Sequence, residues 1–247
     1  MDNSPRSNFI TLPGAIIIAG ALIAVALIYI KYPEKPKNAQ TVLNTPQIEQ
    51  VKMKAVTTMD HILGNPDAPI KIVEYSDTSC PYCRIFNATM EQIMAEYGHT
   101  GKVAWIYRNW PLDKPDQEGR ILHKNAGHEA QALECVASIG GNEKFWAYEK
   151  LLYETTPSVT GTTPNGLDQA ELPIMAKAVG IDQRAFTDCL SSGKFQEKVE
   201  ADFMDGVNAG VTGTPYSIIV TPSGNNIPIT GAQPYSTVKM AIDSLLR

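Results

Sequence analysis

Residues 12 to 30, LPGAIIIAGALIAVALIYI, run without a charge or a side-chain amide. Coiled as a helix they cover about the thickness of a bilayer hydrocarbon core. A polar tail (1–11) precedes them, and a polar, proline-containing run (31–58) follows. That pattern predicts one N-terminal transmembrane helix rather than a core helix, which would carry a polar face or caps. Ala24-Val25-Ala26 has the small-x-small form of a cleavage site, but Leu27-Ile28-Tyr29-Ile30 extends the apolar run past it, so an uncleaved anchor is expected. Arg6 stands alone before the span, whereas Lys31, Lys35 and Lys37 follow it, a distribution that mildly favours a cytoplasmic C-terminal side. A flexible linker of the length of 31–58 would reach about 30 Å.

From residue 59 onward the periodicities change. IKIVEY (70–75) is a short, β-branched strand after the turn signals GNPDAP. Phe86, Met90, Ile93, Met94 and Tyr97 then recur at helical spacing, with Gly98 at a plausible stop, and KVAWIYRNW (102–110) returns to strand. Strand, helix and strand in that order form a βαβ unit with parallel strands. Five helical patterns follow: HKNAGHEAQALECVASIG, NEKFWAYEKLLYE, QAELPIMAKAVG, DQRAFTDCLSSG and KFQEKVEADFMDGVNAG. TTPSVTGTTPNG separates the second from the third as a loop. YSIIVT (216–221) and NIPIT (226–230), joined by PSGNN, read as an antiparallel hairpin, and STVKMAIDSLLR as a last helix. The predicted organisation is an α/β domain over 59–247, βαβ then ββα, with a helical insertion at about 115–210.

Composition adds little. The chain has 247 residues, 43% of them hydrophobic, enough for one sizeable core. A formal net charge of −5 without a basic run argues against a nucleic-acid surface.

The candidate chemistry lies where the first strand becomes the first helix, at YSDTSCPYCRIF. A CxxC there is half a zinc site, a redox dithiol or a structural pair. Zinc needs two more ligands, and the chain has neither a second CxxC nor an HxxxH; His61, His99, His123 and His128 are scattered. No metal or cofactor is expected. Pro81 suits the first helical position, where its missing N–H is no loss, which makes Cys80 the N-cap. The unpaired amides and dipole of a helix start stabilise a thiolate, so the Cys80 pKa should fall below about 8.5, with Cys80 exposed and Cys83 less so. Far downstream, Thr214-Pro215 stands immediately before a strand; alone it reads as an ordinary loop proline, although a cis bond there would turn the chain sharply. Such a turn would leave the Thr214 backbone free to pair with an incoming peptide.

DHILGNPDAPIKIVEYSDTSCPYC, YRNWPL and GVTGTPYSIIV together resemble the DsbA-like branch of the thioredoxin superfamily, from about His61 to the C-terminus. The resemblance implies a thioredoxin-like fold with an inserted helical subdomain. It also implies a thiol–disulfide oxidoreductase that forms disulfides in exported proteins. Cys80 would be the nucleophile, Cys83 the resolving cysteine, and Pro215 a cis-proline beside them. Pro81, Tyr82, Thr214 and Pro215 would meet substrate. Glu74, six residues before Cys80, would be a buried carboxylate relaying protons, its pKa raised by burial without a partner. Strongly oxidising members often carry histidine where this chain has Tyr82, so a milder oxidant is implied. Glutaredoxins share CPYC but are shorter and lack the insertion.

Cys135 and Cys189 would be two buried thiols on the pattern alone; by the resemblance they join as a structural disulfide. The implied partners are reduced, cysteine-containing proteins and a membrane quinone-linked thiol oxidase, with the domain on the extracytoplasmic side. A reductase or isomerase on the same fold is the alternative favoured by the lysines after the span. A non-catalytic holdase or adaptor is a further one. His123 and His128 are expected to cap or pack on their helix. Asn87-Ala88-Thr89 is a chance glycosylation triplet within a helix, and LDKPDQEG a solvated loop.

Overall fold

Two adjacent strands carry almost no exposed residue, and the fold is arranged to cover both of their faces. They are β2 (Ile70–Ser76) and β3 (Val103–Asn109), paired in parallel with Glu74 opposite Tyr107 and Ser76 opposite Asn109. The run of buried side chains in both is the mark of a parallel pair packed on each side. In the computed structural model, which describes residues 52–116, 118–156 and 167–247, they lie inside a five-stranded sheet. β1 (His61–Gly64) pairs antiparallel with β3 at one edge. On the other side β4 (Tyr216–Val220) runs antiparallel to β2, and β5 (Asn226–Thr230) completes the hairpin. The edge position of β5 tolerates Pro228, which has no N–H for a further ladder. The expected span at 12–30 and most of the linker lie outside the described residues, as does most of the Ser/Thr/Pro/Gly loop. Among the described residues no helix is long and apolar enough to cross a membrane.

One sheet face carries Ile70, Ile72, Trp105, Tyr107 and Ile219. Against it pack α1 (Pro81–Ile93), α2 (Ala126–Thr155) and α6 (Tyr235–Leu245), through Phe86, Met90 and Ile93, Leu133, Phe145 and Leu152, and Val238 and Ile242. Phe86, Met90 and Ile93 are the helical stripe read from the sequence; each is fully buried, worth about 2 kcal/mol apiece in transfer free energy. A wider π-helical turn, Met94–Gly98, ends α1. α2 joins the first two predicted helices, but Gly141, between the end of the first pattern at Gly140 and the start of the second, breaks it at φ +79°.

The inserted block continues through α3 (Leu172–Ala178), α4 (Gln183–Ser191) and α5 (Gln196–Asn208). Cys135 on α2 and Cys189 on α4 are bonded, with Cα atoms 5.9 Å apart. The opposite sheet face, with Val73, Tyr75, Ile106 and Ile218, is covered by α5 and the segment after it. Gly206 allows the close approach there: a Cβ would lie 2.5 Å from the Trp110 ring.

The same face holds a buried ion pair. Arg108 binds Asp60 at 2.8 Å and Asp205 at 2.6 Å, while the Tyr75 hydroxyl donates to Asp205 at 2.5 Å. Asp205 also accepts the Lys54 N–H at 2.7 Å, and Arg108 donates to the Lys54 and Ala55 carbonyls. The last residues of the expected linker are therefore bound to the domain.

Candidate active site

β2 ends at Ser76, and the turn Asp77-Thr78-Ser79 delivers the chain to α1. Asp77 makes that turn in two ways: its carboxylate accepts the Ser79 N–H at 2.7 Å, and its carbonyl accepts the Cys80 N–H at 3.0 Å. Cys80 is the N-cap, with extended φ/ψ, and its carbonyl takes the first helical bond from the Arg84 N–H. Pro81 occupies the first helical position.

The bond between Thr214 and Pro215 is cis and brings the segment before β4 against this helix start. The Cys80 thiol donates to the Thr214 carbonyl at 3.6 Å. That carbonyl is thus occupied in the dithiol, not free as the sequence suggested, and it is released when Cys80 ionises. The Thr214 hydroxyl is buried, and the Cys80 sulfur is the group that it serves.

The two sulfurs are driven apart in acidity. Cys80 is pulled down to about 6, first by a hydrogen bond from the Cys83 thiol, against its own burial, and then by the Thr214 side chain and the Cys83 backbone N–H. The expected helix-start amides contribute, but the neighbouring thiol contributes most. Cys83 moves well above the ordinary thiol range through burial, then through the hydrogen bond and charge of Cys80. Contrary to expectation Cys80 is not exposed: 4% of its surface is open, because the Thr214-Pro215 segment covers it. Tyr82 at 62% and Ile85 at 56% form the exposed apolar rim beside it.

Glu74 lies in the middle of β2, 1% exposed. It has partners, unlike the bare carboxylate expected: Ser76 Oγ donates to it at 2.6 Å and Trp105 Nε1 at 2.9 Å, and Tyr153 extends the chain to Ser76 at 2.9 Å. Burial outweighs both hydrogen bonds and lifts its pKa to about 7. Its charge also opposes ionisation of Cys83. A carboxyl with a pKa near 7 can both give and take a proton at neutral pH.

Other groups at the site were given no part in its chemistry by the sequence. Glu129 of α2 accepts from Thr78 Oγ1 at 2.6 Å and Ser79 Oγ at 2.9 Å, and Glu149 accepts from Asn87 at 2.5 Å. His123, expected to cap or pack on its helix, lies in the loop before α2 and binds Asp77 at 2.8 Å. All lie 50 or so residues from their partners, beyond any local pattern. Asp77, three residues before Cys80 in SDTSC, is the one with a local signal, that of a turn former. Among the described residues no group of three or more His, Cys, Asp and Glu is placed to hold a metal.

A family model described as thioredoxin matches residues 56–244. The chain belongs to the thioredoxin family. Its fold is that of solved DsbA-type structures. Its fold superposes on BdbD from Bacillus subtilis with a TM-score of 0.65 at 23% identity, over 80% of this chain and 98% of that one. Wolbachia pipientis α-DsbA1 gives a TM-score of 0.63 at 24% identity, over 77% and 92%. In sequence, the thioredoxin-family chain is 26% identical to the "Probable disulfide bond formation protein D" of Bacillus cereus, over 98% of its own length and 99% of that protein's. It is also 27% identical to the Na(+)/H(+) antiporter NhaA 1 of Mycolicibacterium gilvum over 63% of its length, but spans only 22% of that much longer protein.

Proposed function

We propose that this thioredoxin-family protein is a thiol–disulfide oxidoreductase that forms disulfides in exported, cysteine-containing proteins. Cys80 is the sulfur exchanged with substrate and Cys83 the resolving sulfur. The observation that carries the reading is the split acidity of the pair beside Thr214 and Pro215: Cys80 down to about 6, Cys83 far up.

In the oxidised protein a substrate thiolate attacks Cys80 Sγ. The Cys80–Cys83 bond breaks, a mixed disulfide forms, and the electron pair leaves on Cys83, where a proton from Glu74 completes a thiol. A second substrate thiolate then attacks the substrate sulfur of the mixed disulfide, and Cys80 departs with the pair as a stable thiolate. The substrate loses two electrons and the dithiol gains them. At pH 7 a group with a pKa near 6 is about nine-tenths ionised, which makes Cys80 the better leaving group in this second step. Pro81, Tyr82, Thr214 and Pro215 form the surface that receives substrate, with the exposed Tyr82 ring as apolar rim. A membrane quinone-linked thiol oxidase returns the dithiol to disulfide.

Residues 12–30 anchor the domain as a single uncleaved helix, with the domain extracytoplasmic; the Cys135–Cys189 bridge supports an oxidising compartment. After reduction with an impermeant reductant, labelling of Cys80 in intact cells by an impermeant thiol reagent is the expected result, and labelling only after lysis contradicts the placement. For the chemistry, the test is oxidation of a reduced, unfolded protein by the full chain. Cys80→Ser abolishes it and Cys83→Ser accumulates mixed disulfides; a Cys80→Ser protein that still oxidises substrate contradicts the reading.

A further inference from the structure

The thiolate at Cys80 has an adversary next to it. Asp77 is wholly buried in its side chain, three residues away, and its negative charge raises the pKa of both cysteines. The turn needs that carboxylate: Oδ1 accepts the Ser79 N–H, and Oδ2 accepts the Leu112 N–H at 2.8 Å. An uncompensated buried carboxylate at this turn works against the acidity that the reaction depends on.

His123 stands on the carboxylate. It comes from the loop between β3 and α2, with its ring Nδ1 2.8 Å from Asp77 Oδ2 and its side chain 13% exposed. The titratable groups that act on the ring are Asp77 and Cys80 from the turn and helix start, and Glu129 from α2. Each is anionic when ionised. Burial disfavours the charged ring, yet the hydrogen bond and charge of Asp77, then the charges of Cys80 and Glu129, outweigh it and raise the His123 pKa. Tyr82 brings no charge between the cysteines.

We propose that His123 is a positioning residue for the dithiol: its imidazolium neutralises the buried Asp77 carboxylate and so keeps Cys80 a thiolate in the reduced protein. A group expected from the sequence only to cap or pack on its helix thereby sets the oxidising strength of a site 43 residues earlier in the chain. The inference rests on Cys80 being the reacting sulfur, and the Cys80→Ser assay above tests that separately.

Two measurements on the full chain decide it. The first titrates Cys80 by thiolate absorbance in the reduced protein and in His123→Gln, Asp77→Asn and the double variant. His123→Gln raises the Cys80 pKa by about one unit where Asp77 is present, and by less than half as much in the Asp77→Asn background. No rise, or an equal rise in both backgrounds, overturns the proposal. The second needs no substitution, so it stands even if a variant fails to fold. Linkage is reciprocal, so the imidazole resonances of His123 titrate at higher pH in the dithiol form than in the disulfide form. Equal His123 pKa values in the two redox forms overturn the proposal. In either failure, intact oxidation by wild type and its loss in Cys80→Ser leave the oxidoreductase reading standing.

Discussion

The sulfur of Cys80 lies 3.6 Å from the carbonyl oxygen of Thr214, although 134 residues of chain separate them. One sits at a helix start and the other just before a strand, and the sheet register brings them together: β2 leads into Cys80, and β4, its antiparallel neighbour, begins beside Pro215. This meeting leaves the sulfur 4% exposed, and it adds the Thr214 side chain to the Cys83 thiol, the larger cause of the lowered Cys80 pKa.

Thr214→Val keeps the shape of the side chain and removes the hydroxyl that helps lower the Cys80 pKa. The expected result is a Cys80 pKa higher by less than about one unit, with the fold intact. The pH dependence of iodoacetamide alkylation in the reduced protein measures it. The alkylation curve should move to higher pH without change of steepness.

Glu74→Gln should act on stability and exchange in opposite directions. The native pKa of Glu74 is raised to about 7, above that of an unfolded glutamate, so the folded chain holds this proton more tightly. Its stabilising contribution is complete below about pH 4.3 and is lost as pH rises through 7. At pH 8 the wild type carries a buried charge, and Glu74→Gln is more stable by about 2 to 3 kcal/mol in urea unfolding. At pH 5 the difference largely disappears. The same variant slows attack on the Cys80–Cys83 bond, because the departing Cys83 sulfur has lost its proton source.

Arg108→Met leaves Asp205 buried with a negative charge and removes the hydrogen bonds to the Lys54 and Ala55 carbonyls. Breaking one side of a buried pair costs about 3 to 5 kcal/mol. Denaturant unfolding should show that loss, and proteolysis should reach residues 52–60 first. The Cys80 pKa should be unchanged, since Arg108 serves the opposite sheet face.

Cys135→Ala with Cys189→Ala removes a bridge closing 54 residues. By the chain-entropy estimate the loss is at most about 4 kcal/mol, and about 2 to 4 is the expected outcome. Thermal unfolding at fixed pH checks it, and the oxidation rate below the transition should stay within a factor of about two.

Much of the architecture was legible because it is written in local spacing. The stripe Phe86, Met90, Ile93 defined α1, Pro81 fixed its start, and the end of a helical pattern at Gly140 marked the break in α2. β1 was not legible: it has four residues, only Ile62 and Leu63 strongly apolar, and becomes a strand by pairing with β3. At the site, Cys80, Cys83 and Pro215 stood out through motif and neighbours. The burial of Cys80 did not, because it depends on Thr214 and Pro215 arriving from the far end of the chain. Trp105 donating to Glu74, Glu129 holding Thr78 and Ser79, and His123 on Asp77 are likewise pairs made by topology. A histidine in a loop carries no sign of which carboxylate it will meet.

The central claim is that Cys80 is held as a thiolate while Cys83 keeps its proton. Titrating the reduced protein by absorbance of the thiolate tests it directly. One sulfur ionising at about pH 6, and the second only far into the alkaline range, is the predicted result. Two sulfurs ionising together near the free-cysteine value of about 8.5 would contradict it.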